Sequence, residues 1–340
     1  MRALVTGATG FVGSAVVRSL LRRGVIVRAL ARHGSDLRNL ADLELEISLG
    51  NLLDEESIVA ALEGCDFLYH VAAYYSTAEA DSQTMYEVNV HGTKTVMRAA
   101  VRSGVPRVVH TSTIGTIGQP ADGSLATEAM PFNLWDTASH YAKSKYLAEV
   151  VVLTMCERGL PAVVVNPCAP VGPRDIKPSS TGQRLLDYLH GRQPSFVPGG
   201  INFVSVEDVA EGHALAAEKG RIGERYILGH KDGNLSLATF LALMERVSGT
   251  KPGPGLSGQR PSYLGAKRAI RHRARRVLSL LRRDEPDHAR FNGAAEGFRP
   301  LALTCDPSKA VRELGLPQTP LEKAFAEAIA WFKENGYVHV

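Results

Sequence analysis

Near its amino terminus the chain reads Ala3-Leu4-Val5-Thr6-Gly7-Ala8-Thr9-Gly10-Phe11-Val12-Gly13. An apolar run, a glycine-rich turn and a helical period predict a strand, a tight turn and a helix. The first glycine permits the turn, the second leaves room for a pyrophosphate, and the third lets helix and strand pack closely. Unpaired N–H groups at the start of the helix attract phosphate. The segment predicts a dinucleotide site that comprises Gly7, Thr9, Gly10, Phe11, Val12 and Gly13.

Short β-branched runs continue to alternate with stretches of helical period through the first half of the chain. The predicted strands are Ala3–Thr6, Val25–Leu30, Leu45–Leu49, Phe67–Val71, Arg107–Thr111 and Ala162–Asn166. The predicted helices are Val12–Arg23, Asp54–Leu62, Gln83–Arg102 and Ser139–Glu157. Strands joined by helices make right-handed crossovers, so the pattern predicts an α/β fold with a Rossmann-type, doubly wound parallel sheet.

The regular alternation of predicted strands and helices stops after Pro167, where proline and glycine become frequent. We predict a dinucleotide-binding domain over residues 1–167, with residues 202–229 returning to it in part. Residues 168–201 and 230–340 then form most of a smaller, interleaved substrate lobe. Two of its residues, Cys168 and Asp175, are candidates for the pocket, together with Tyr74 and Tyr75.

Composition excludes several classes of protein. With 340 residues, 44% hydrophobic and 22% charged, the chain is typical of globular proteins, and a net charge of +4 does not predict nucleic-acid binding. The 4 cysteines are far apart in sequence, which predicts reduced thiols and neither a disulfide framework nor a metal site. The apolar run at the N-terminus is too short for a signal-peptide core, and no apolar run is long enough to span a membrane, so we predict a cytoplasmic protein.

A basic stretch interrupts this ordinary composition at residues 265–283, which contain eight lysines and arginines and no acid. A basic amphipathic helix there would contact anionic lipid or an acidic partner, whereas the simpler interpretation is a solvated helix face. Sedimentation with liposomes distinguishes them, since only the first requires anionic lipid.

The end of the second predicted strand bears on the choice of cofactor. An NAD site places a carboxylate there for the ribose hydroxyls, but this chain has Arg32, with Ser35 and Arg38 close behind. A guanidinium matches the oxygens of a 2′-phosphate, so NADP(H) is favoured. NAD(H) is the alternative, because Asp36 could meet the ribose instead.

A second constellation is Tyr141-Ala142-Lys143-Ser144-Lys145, in a predicted helix. The i,i+4 spacing places Tyr141 and Lys145 on one face, where an ammonium would favour the phenolate and bring the tyrosine proton into range for exchange with a carbonyl oxygen. Hydroxyls at the end of a parallel strand lie where such sheets bind ligands, and either Ser112 or Thr113 could donate to the same oxygen.

The ordered series of these motifs resembles the extended short-chain dehydrogenases/reductases, the NAD-dependent epimerase/dehydratase family. Within it, the chain is most similar to dihydroflavonol-4-reductase-like proteins and hopanoid-associated sugar epimerases. The matching segments are Thr6–Gly13, Val71–Ala73, Asn89–Thr93, Thr111–Gly118, Tyr141–Lys145, Asn166–Pro167, Gly172–Pro173 and Phe203–Asp208.

The resemblance implies a role for each matched residue. Thr113 would be the catalytic hydroxyl, Tyr141 the general acid/base, and Lys145 the residue that holds the nicotinamide ribose and lowers the tyrosine pKa. The cofactor would also contact Leu52, Val71, Ala72, Ala73 and Pro167, as well as Asn51, which stands where the family often has an aspartate, and Asn89 would support the active-site strands.

One departure from the family bears on the substrate. Nucleotide-sugar epimerases usually carry an arginine just before the Phe203–Asp208 segment and another near a later strand, to hold the substrate pyrophosphate. Here Ile201 or Asn202 occupies the first position, and only Arg299 lies near the second.

Three functions follow from these observations. Because a buried pyrophosphate needs charge-assisted hydrogen bonds, the main prediction is NADP(H)-dependent reduction of an aldehyde or ketone of a small molecule. The alternatives are a nucleotide-sugar epimerase or dehydratase, and a non-catalytic NADP-binding protein. Two long predicted helices, Gln83–Arg102 and Ser139–Glu157, would offer the interface of a homodimer.

Overall fold

A computed structural model of the protein describes residues 1–251 and 302–338. A sheet of seven parallel strands lies at its centre, in the order β3-β2-β1-β4-β5-β6-β9. These strands are β1 (Arg2–Thr6), β2 (Ile26–Ala31), β3 (Glu46–Leu49), β4 (Phe67–His70), β5 (Arg107–Thr111), β6 (Ala162–Pro167) and β9 (Arg225–Leu228). The chain order reverses beside β1, as in a doubly wound sheet, so the predicted fold class is confirmed.

Helices cover the two faces of this sheet. In the described residues they are α1 (Phe11–Arg22), α2 (Glu55–Leu62), α3 (Ser82–Tyr86), α4 (Gly92–Arg102), α5 (His140–Cys156), α6 (Ser180–Leu189), α7 (Val206–Lys219), α8 (Leu237–Ser248), α9 (Ser308–Leu314) and α10 (Leu321–Glu334). Local sequence sets several of their ends. Asp54 accepts the N–H groups of Glu56 and Ser57 at the start of α2, and Gly24 follows α1 with φ of +72°.

The predicted helix Gln83–Arg102 is interrupted. A π-helical turn, Glu87–His91, joins α3 to α4, and it holds Asn89 at 1% exposure. Such turns insert an extra residue into a helix and occur often at functional sites.

The main sheet separates two hydrophobic clusters, one on each of its faces. Ala3 and Val5 of β1 pack with α1 and α7 on one face, whereas Leu4 packs with α2 and α4 on the other. Both faces are therefore apolar, which explains why the central strands lack alternating polar residues.

A second, three-stranded sheet of order β10-β8-β7 is formed by β7 (Ala169–Val171), β8 (Ile201–Ser205) and β10 (Asn234–Leu235). It packs with α6, α8 and α10 around Phe203, Phe240 and Phe325. From residues 202–229, β9 joins the main sheet and α7 covers it, while β8 stays in the small sheet. The domain boundaries themselves stay a prediction.

Two predictions fall outside the described residues: the basic stretch 265–283 and Arg299. Within residues 1–251 and 302–338, no helix has the length and apolar character needed to cross a bilayer. The cytoplasmic location stays a prediction, which cell fractionation would test.

Candidate active site

The glycine-rich turn after β1 leaves a cradle that side chains would fill. Gly7 has φ of +69°, and a Cβ there would lie 2.7 Å from the Cα of Ala72. A Cβ on Gly13 would lie 2.0 Å from the Gly7 carbonyl oxygen. Gly10, at the N-cap of α1, has no side-chain cap, and the first turn of the helix contains no acid. The turn therefore offers unpaired N–H groups to a dinucleotide pyrophosphate, and its shape fits that group.

Neighbouring strand ends bring other predicted cofactor residues to this turn. Thr6 binds the segment after β4, since its carbonyl accepts the Val71 N–H at 3.3 Å and its Oγ1 accepts the Ala72 N–H at 3.3 Å. Leu52 lies against the start of α4, where a Cβ on Gly92 would be 3.2 Å from its Cβ. Asn51 and Ala73 are exposed, and Pro167 is buried at the end of β6.

Arg32, the residue on which the prediction of NADP(H) depends, directly follows β2. Arg32 is exposed, and within residues 1–251 and 302–338 its side chain has no ion pair. Arg38 instead binds Asp36, with Nη2 2.7 Å from Oδ2, and this hydrogen bond lowers the pKa of that carboxyl to about 2. Asp36 is thus already paired with the guanidinium of Arg38.

Tyr141 and Lys145 lie in the first two turns of α5, which begins where the Ser139 Oγ accepts the Ala142 N–H at 3.2 Å. Lys145 is 1% exposed and donates from Nζ to the carbonyl oxygen of Thr111 at 2.7 Å, at the end of β5. Tyr141 is half-buried, and its ring meets that of Tyr75 edge-on at 4.9 Å between centroids. The helix thereby fixes the amine against the sheet and leaves the phenol beside the loop after β4.

The predicted effect of Lys145 on the pKa of Tyr141 stays a prediction, because the shifts in this structure arise mainly from burial. Burial raises the pKa of the Tyr141 phenol above its usual value, and the nearby Tyr75 raises it further. Burial also lowers the pKa of Lys145 from 10.5 to about 8, against an opposing effect of Glu149. Helical spacing places the pair on one face of α5, and the Lys145 amine donates to the Thr111 carbonyl.

Of the two candidate hydroxyls, Ser112 is buried, with its Oγ 3.2 Å from the Oγ1 of Thr116. Thr113 is half-buried, and its Oγ1 accepts the Gly115 N–H at 3.3 Å, so its own hydrogen is free to donate. A Cβ on Gly115 would lie 3.6 Å from both the Cγ2 of Thr113 and the Cβ of Ala142, which directly follows Tyr141. Gly115 therefore lies between Thr113 and the first turn of α5, the helix that carries Tyr141.

Sequence reasoning missed a buried polar network behind the hydroxyl. Glu149 is 1% exposed and accepts hydrogen bonds on Oε2 from Thr116 at 2.8 Å and from Asn166 at 2.9 Å. Its Oε1 lies 3.2 Å from Nη1 of Arg225 on β9. Asn166 also donates to the Thr113 carbonyl at 3.3 Å. The network ties three elements to the backbone of Thr113, and the i,i+4 spacing of Lys145 and Glu149 was its one visible signal.

Asn89 performs a similar task on the other side of the site. Its Oδ1 accepts the Tyr74 N–H at 2.7 Å, and its Nδ2 donates to the Tyr74 carbonyl at 3.0 Å and to the Ser144 Oγ at 2.9 Å. It thus links the loop after β4 to α5.

Replacing Lys145 with methionine is expected to change the pH dependence of stability. Because the folded-state pKa is about 8 and the ordinary value is 10.5, the unfolded chain holds this proton more tightly. Raising the pH through this interval should therefore stabilise the wild type relative to the variant by on the order of 3 kcal/mol. Chemical denaturation at pH 7 and at pH 10.5 measures the difference. Equal differences at both pH values would contradict the prediction.

Nucleotide-sugar epimerases usually carry an arginine for the substrate pyrophosphate just before the Phe203–Asp208 segment. This chain has no cation at that position. Ile201 is 1% exposed and Asn202 is fully buried in β8. Asn202 uses its side chain internally, donating to the His230 carbonyl at 2.9 Å and to the Asn234 Oδ1 at 2.8 Å.

Comparison with known proteins agrees with this architecture. Residues 3–229 match the NAD dependent epimerase/dehydratase family. The chain is 38% identical to a "Putative dihydroflavonol 4-reductase" of Synechocystis sp., over 98% of this chain and 95% of the relative. It is 39% identical to "Sterol demethylase protein B" of Methylococcus capsulatus, over 99% of this chain and 100% of the relative.

Solved structures share this fold. The crystal structure of gox2253 superposes with a TM-score of 0.83 at 39% identity, covering 99% of both chains. A double mutant of DesIV, a dTDP-glucose 4,6-dehydratase from Streptomyces venezuelae, has NAD and DAU bound; it superposes with a TM-score of 0.75 at 28% identity, over 99% of both chains. The protein therefore belongs to the NAD dependent epimerase/dehydratase family of extended short-chain dehydrogenases/reductases, enzymes that use a nicotinamide dinucleotide to act on small molecules.

Proposed function

We propose that the protein is an NADP(H)-dependent reductase of an aldehyde or ketone, with Tyr141 as the general acid. The observation that carries this proposal is the placement of the half-buried Tyr141 phenol one helical turn from the buried Lys145, whose amine is held at the end of β5, two residues before the half-buried Thr113. Reduction of a carbonyl needs a proton donor, and a tyrosine phenol is protonated at neutral pH. The name of the Synechocystis relative also favours a reductase.

The chain's own residues account for the proton and the orientation of the substrate. A bound reduced dinucleotide supplies a hydride to the carbonyl carbon. Thr113 donates a hydrogen bond that orients the carbonyl oxygen, and Tyr141 transfers its phenolic proton to that oxygen, which becomes the hydroxyl of the product. The phenolate left on Tyr141 then takes a proton from solvent. Lys145 has two N–H groups left beyond the bond to Thr111, available to a ribose, and its charge stabilises the phenolate.

The second candidate is a nucleotide-sugar epimerase or dehydratase, which DesIV favours by its name and fold. The buried, fully bonded Asn202 argues against it, because a substrate pyrophosphate would lack a cation at that position. A non-catalytic role is less favoured, since both Tyr141 and Lys145 are retained.

The stoichiometry of the reaction separates these functions. A reductase consumes one NADPH for each carbonyl reduced, in a panel of aldehydes and ketones followed at the absorbance of NADPH. Conversion of a UDP- or dTDP-sugar with no net change in the dinucleotide would overturn the proposal in favour of the second candidate. NADPH binding without turnover of either panel would favour the non-catalytic role.

Replacing Arg32 with serine is expected to raise the KM for NADPH at least about tenfold and to leave the KM for NADH nearly unchanged. The exposed guanidinium has no acid partner within the described residues and is free for a 2′-phosphate. Initial rates with both cofactors measure the effect. Arg98→Ser, in α4 and paired with Glu55, is a control. A wild type that prefers NADH by tenfold or more would refute the assignment.

We also propose a homodimer formed through α4 and α5. Val101 and Val150 lie on these helices with 56% and 39% of their surfaces exposed. Light scattering should give twice the mass of one chain, and a monomer at micromolar concentration would contradict this.

A further inference from the structure

Glu149, in α5, is a carboxylate with only 1% of its surface exposed. Its Oε1 lies 3.2 Å from Nη1 of Arg225, and its Oε2 accepts hydrogen bonds from Thr116 at 2.8 Å and from Asn166 at 2.9 Å. A buried carboxylate is destabilising unless it is paired and hydrogen-bonded. Each of its two oxygens therefore has a partner, and two of the three partners belong to the strand end where the candidate hydroxyl lies.

The same two partners hold the backbone of Thr113. The Thr113 carbonyl oxygen accepts the Thr116 N–H at 3.1 Å, and the Thr116 Oγ1 lies 2.8 Å from it. Nδ2 of Asn166 donates to this carbonyl at 3.3 Å. The Thr113 Oγ1 in turn accepts the Gly115 N–H at 3.3 Å. Glu149 thus binds the groups that fix the peptide and the side chain of Thr113.

The orientation of the Asn166 amide shows the effect of the carboxylate. Its Nδ2 lies 2.9 Å from Oε2 of Glu149 and 3.0 Å from Oγ1 of Thr116, whereas its Oδ1 is buried without a hydrogen-bond partner among the described residues. A buried oxygen without a partner is destabilising. Turning the amide over would place this oxygen against the carboxylate, and two acceptors repel. Glu149 therefore keeps the N–H groups of the amide directed toward Thr113.

The network also reaches the helix that carries the proposed acid, because Tyr141 lies two turns before Glu149 in α5. In the proposed reaction, Tyr141 and the Thr113 hydroxyl act on the same carbonyl oxygen, so their relative position must be fixed. A misplacement of about 1 Å can lower a rate by roughly 100-fold. The contacts of Glu149 join the helix of the one residue to the backbone of the other.

We propose that Glu149 is a positioning residue: through the amide and the hydroxyl that it binds, it sets the direction in which the Thr113 hydroxyl meets the substrate. This inference rests on the proposed function, because it concerns the same site. A simpler role is that Glu149 only stabilises the fold through its ion pair with Arg225. The two roles predict different kinetics.

The test is a double-mutant cycle of Glu149→Gln and Thr113→Ala, with kcat measured on an aldehyde that the wild type reduces. Glu149→Gln keeps the shape of the side chain and removes its charge. We expect it to lower kcat by about 10- to 100-fold and to change the KM for NADPH by less than about twofold. With Thr113→Ala already present, the same change should lower kcat by less than about twofold, because the hydroxyl that Glu149 orients is gone. An equal loss in both backgrounds, or no loss in either, would overturn the inference.

Two further variants serve if the glutamine variant does not fold. Thr116→Val removes one bond of the network and leaves the ion pair of Arg225 intact. It should lower kcat by about 3- to 10-fold, again only when Thr113 is present, and an equal loss with Thr113→Ala would contradict the inference. Asp208→Asn is the matched control, since Asp208 is a 3% exposed carboxylate in α7 that accepts two hydrogen bonds from Thr319. It should lower the melting temperature and leave kcat nearly unchanged.

Hydrogen exchange measured by NMR keeps the inference separate from the proposed function. The N–H groups of Gly115 and Thr116 donate to the side chain and the carbonyl of Thr113, so their exchange reports its position without any substrate. Glu149→Gln should speed both by about tenfold or more and leave the amides of β1 unchanged. This result in a protein that reduces no carbonyl would sustain the positioning of Thr113 by Glu149 and reject the reductase. Unchanged exchange at both amides, or equally faster exchange in β1, would overturn the inference even if the wild type oxidises NADPH.

Discussion

Replacing Tyr141 with phenylalanine is expected to lower kcat for carbonyl reduction by roughly 10²- to 10⁴-fold, the usual contribution of a positioned acid. The change removes one oxygen and keeps the ring that meets Tyr75. The KM for NADPH and the melting temperature should therefore stay close to those of the wild type. Steady-state kinetics with a carbonyl substrate and NADPH fluorescence titration measure the two effects separately.

A second tyrosine in the same helix provides the matched control. Tyr146 stacks on Phe132 at 4.4 Å between centroids, so its phenylalanine variant preserves the stacking and removes an equivalent hydroxyl. Tyr146→Phe should retain nearly full activity. Full turnover by Tyr141→Phe would show that another group donates the proton.

Replacing Gly7 with alanine is expected to abolish detectable dinucleotide binding and to lower the free energy of unfolding by about 2 to 4 kcal/mol. Two effects combine at this position: φ is +69°, and the new Cβ would lie 2.7 Å from the backbone of Ala72. The turn must move away from the segment after β4, and both are predicted to line the cofactor site. Fluorescence titration with NADPH and chemical denaturation measure the two losses.

Gly24→Ala separates strain from collision. Gly24 has φ of +72°, but no atom lies within 4 Å of a Cβ built there. Its alanine variant should lose only about 1 kcal/mol and bind NADPH normally. The account of the turn would be contradicted if Gly7→Ala bound NADPH as tightly as Gly24→Ala.

The order and type of the central elements could be predicted from sequence because each is set locally. Alternating β-branched runs and helical periods define β1 to β6, and the predicted bounds lie within one residue of those observed. Glycine signals such as Gly7 and Gly24 need positive φ, which the structure has at both. The short strands β7 and β10 carry too few residues to show a period.

Contacts between residues far apart in sequence could not be predicted in this way. The buried Glu149 forms an ion pair with the half-buried Arg225, which lies 76 positions further along the chain. Cys168 and Cys305, predicted to be reduced thiols, are free cysteines, but their Sγ atoms lie only 3.3 Å apart although the residues are far apart in sequence. Lys145 is a further example. Helical spacing predicts which face of α5 carries Lys145, but only the structure shows that its amine donates to the Thr111 carbonyl at the end of β5.

The most direct test of the proposed chemistry follows the label from NADPH deuterated at C4 of the nicotinamide, using each of the two stereoisomers in turn. We predict that one isomer places a single deuterium on the carbinol carbon of the product, with one NADPH oxidised per molecule. A product without deuterium from either isomer, or turnover that returns the dinucleotide unchanged, would contradict the assignment of this site as a carbonyl reductase.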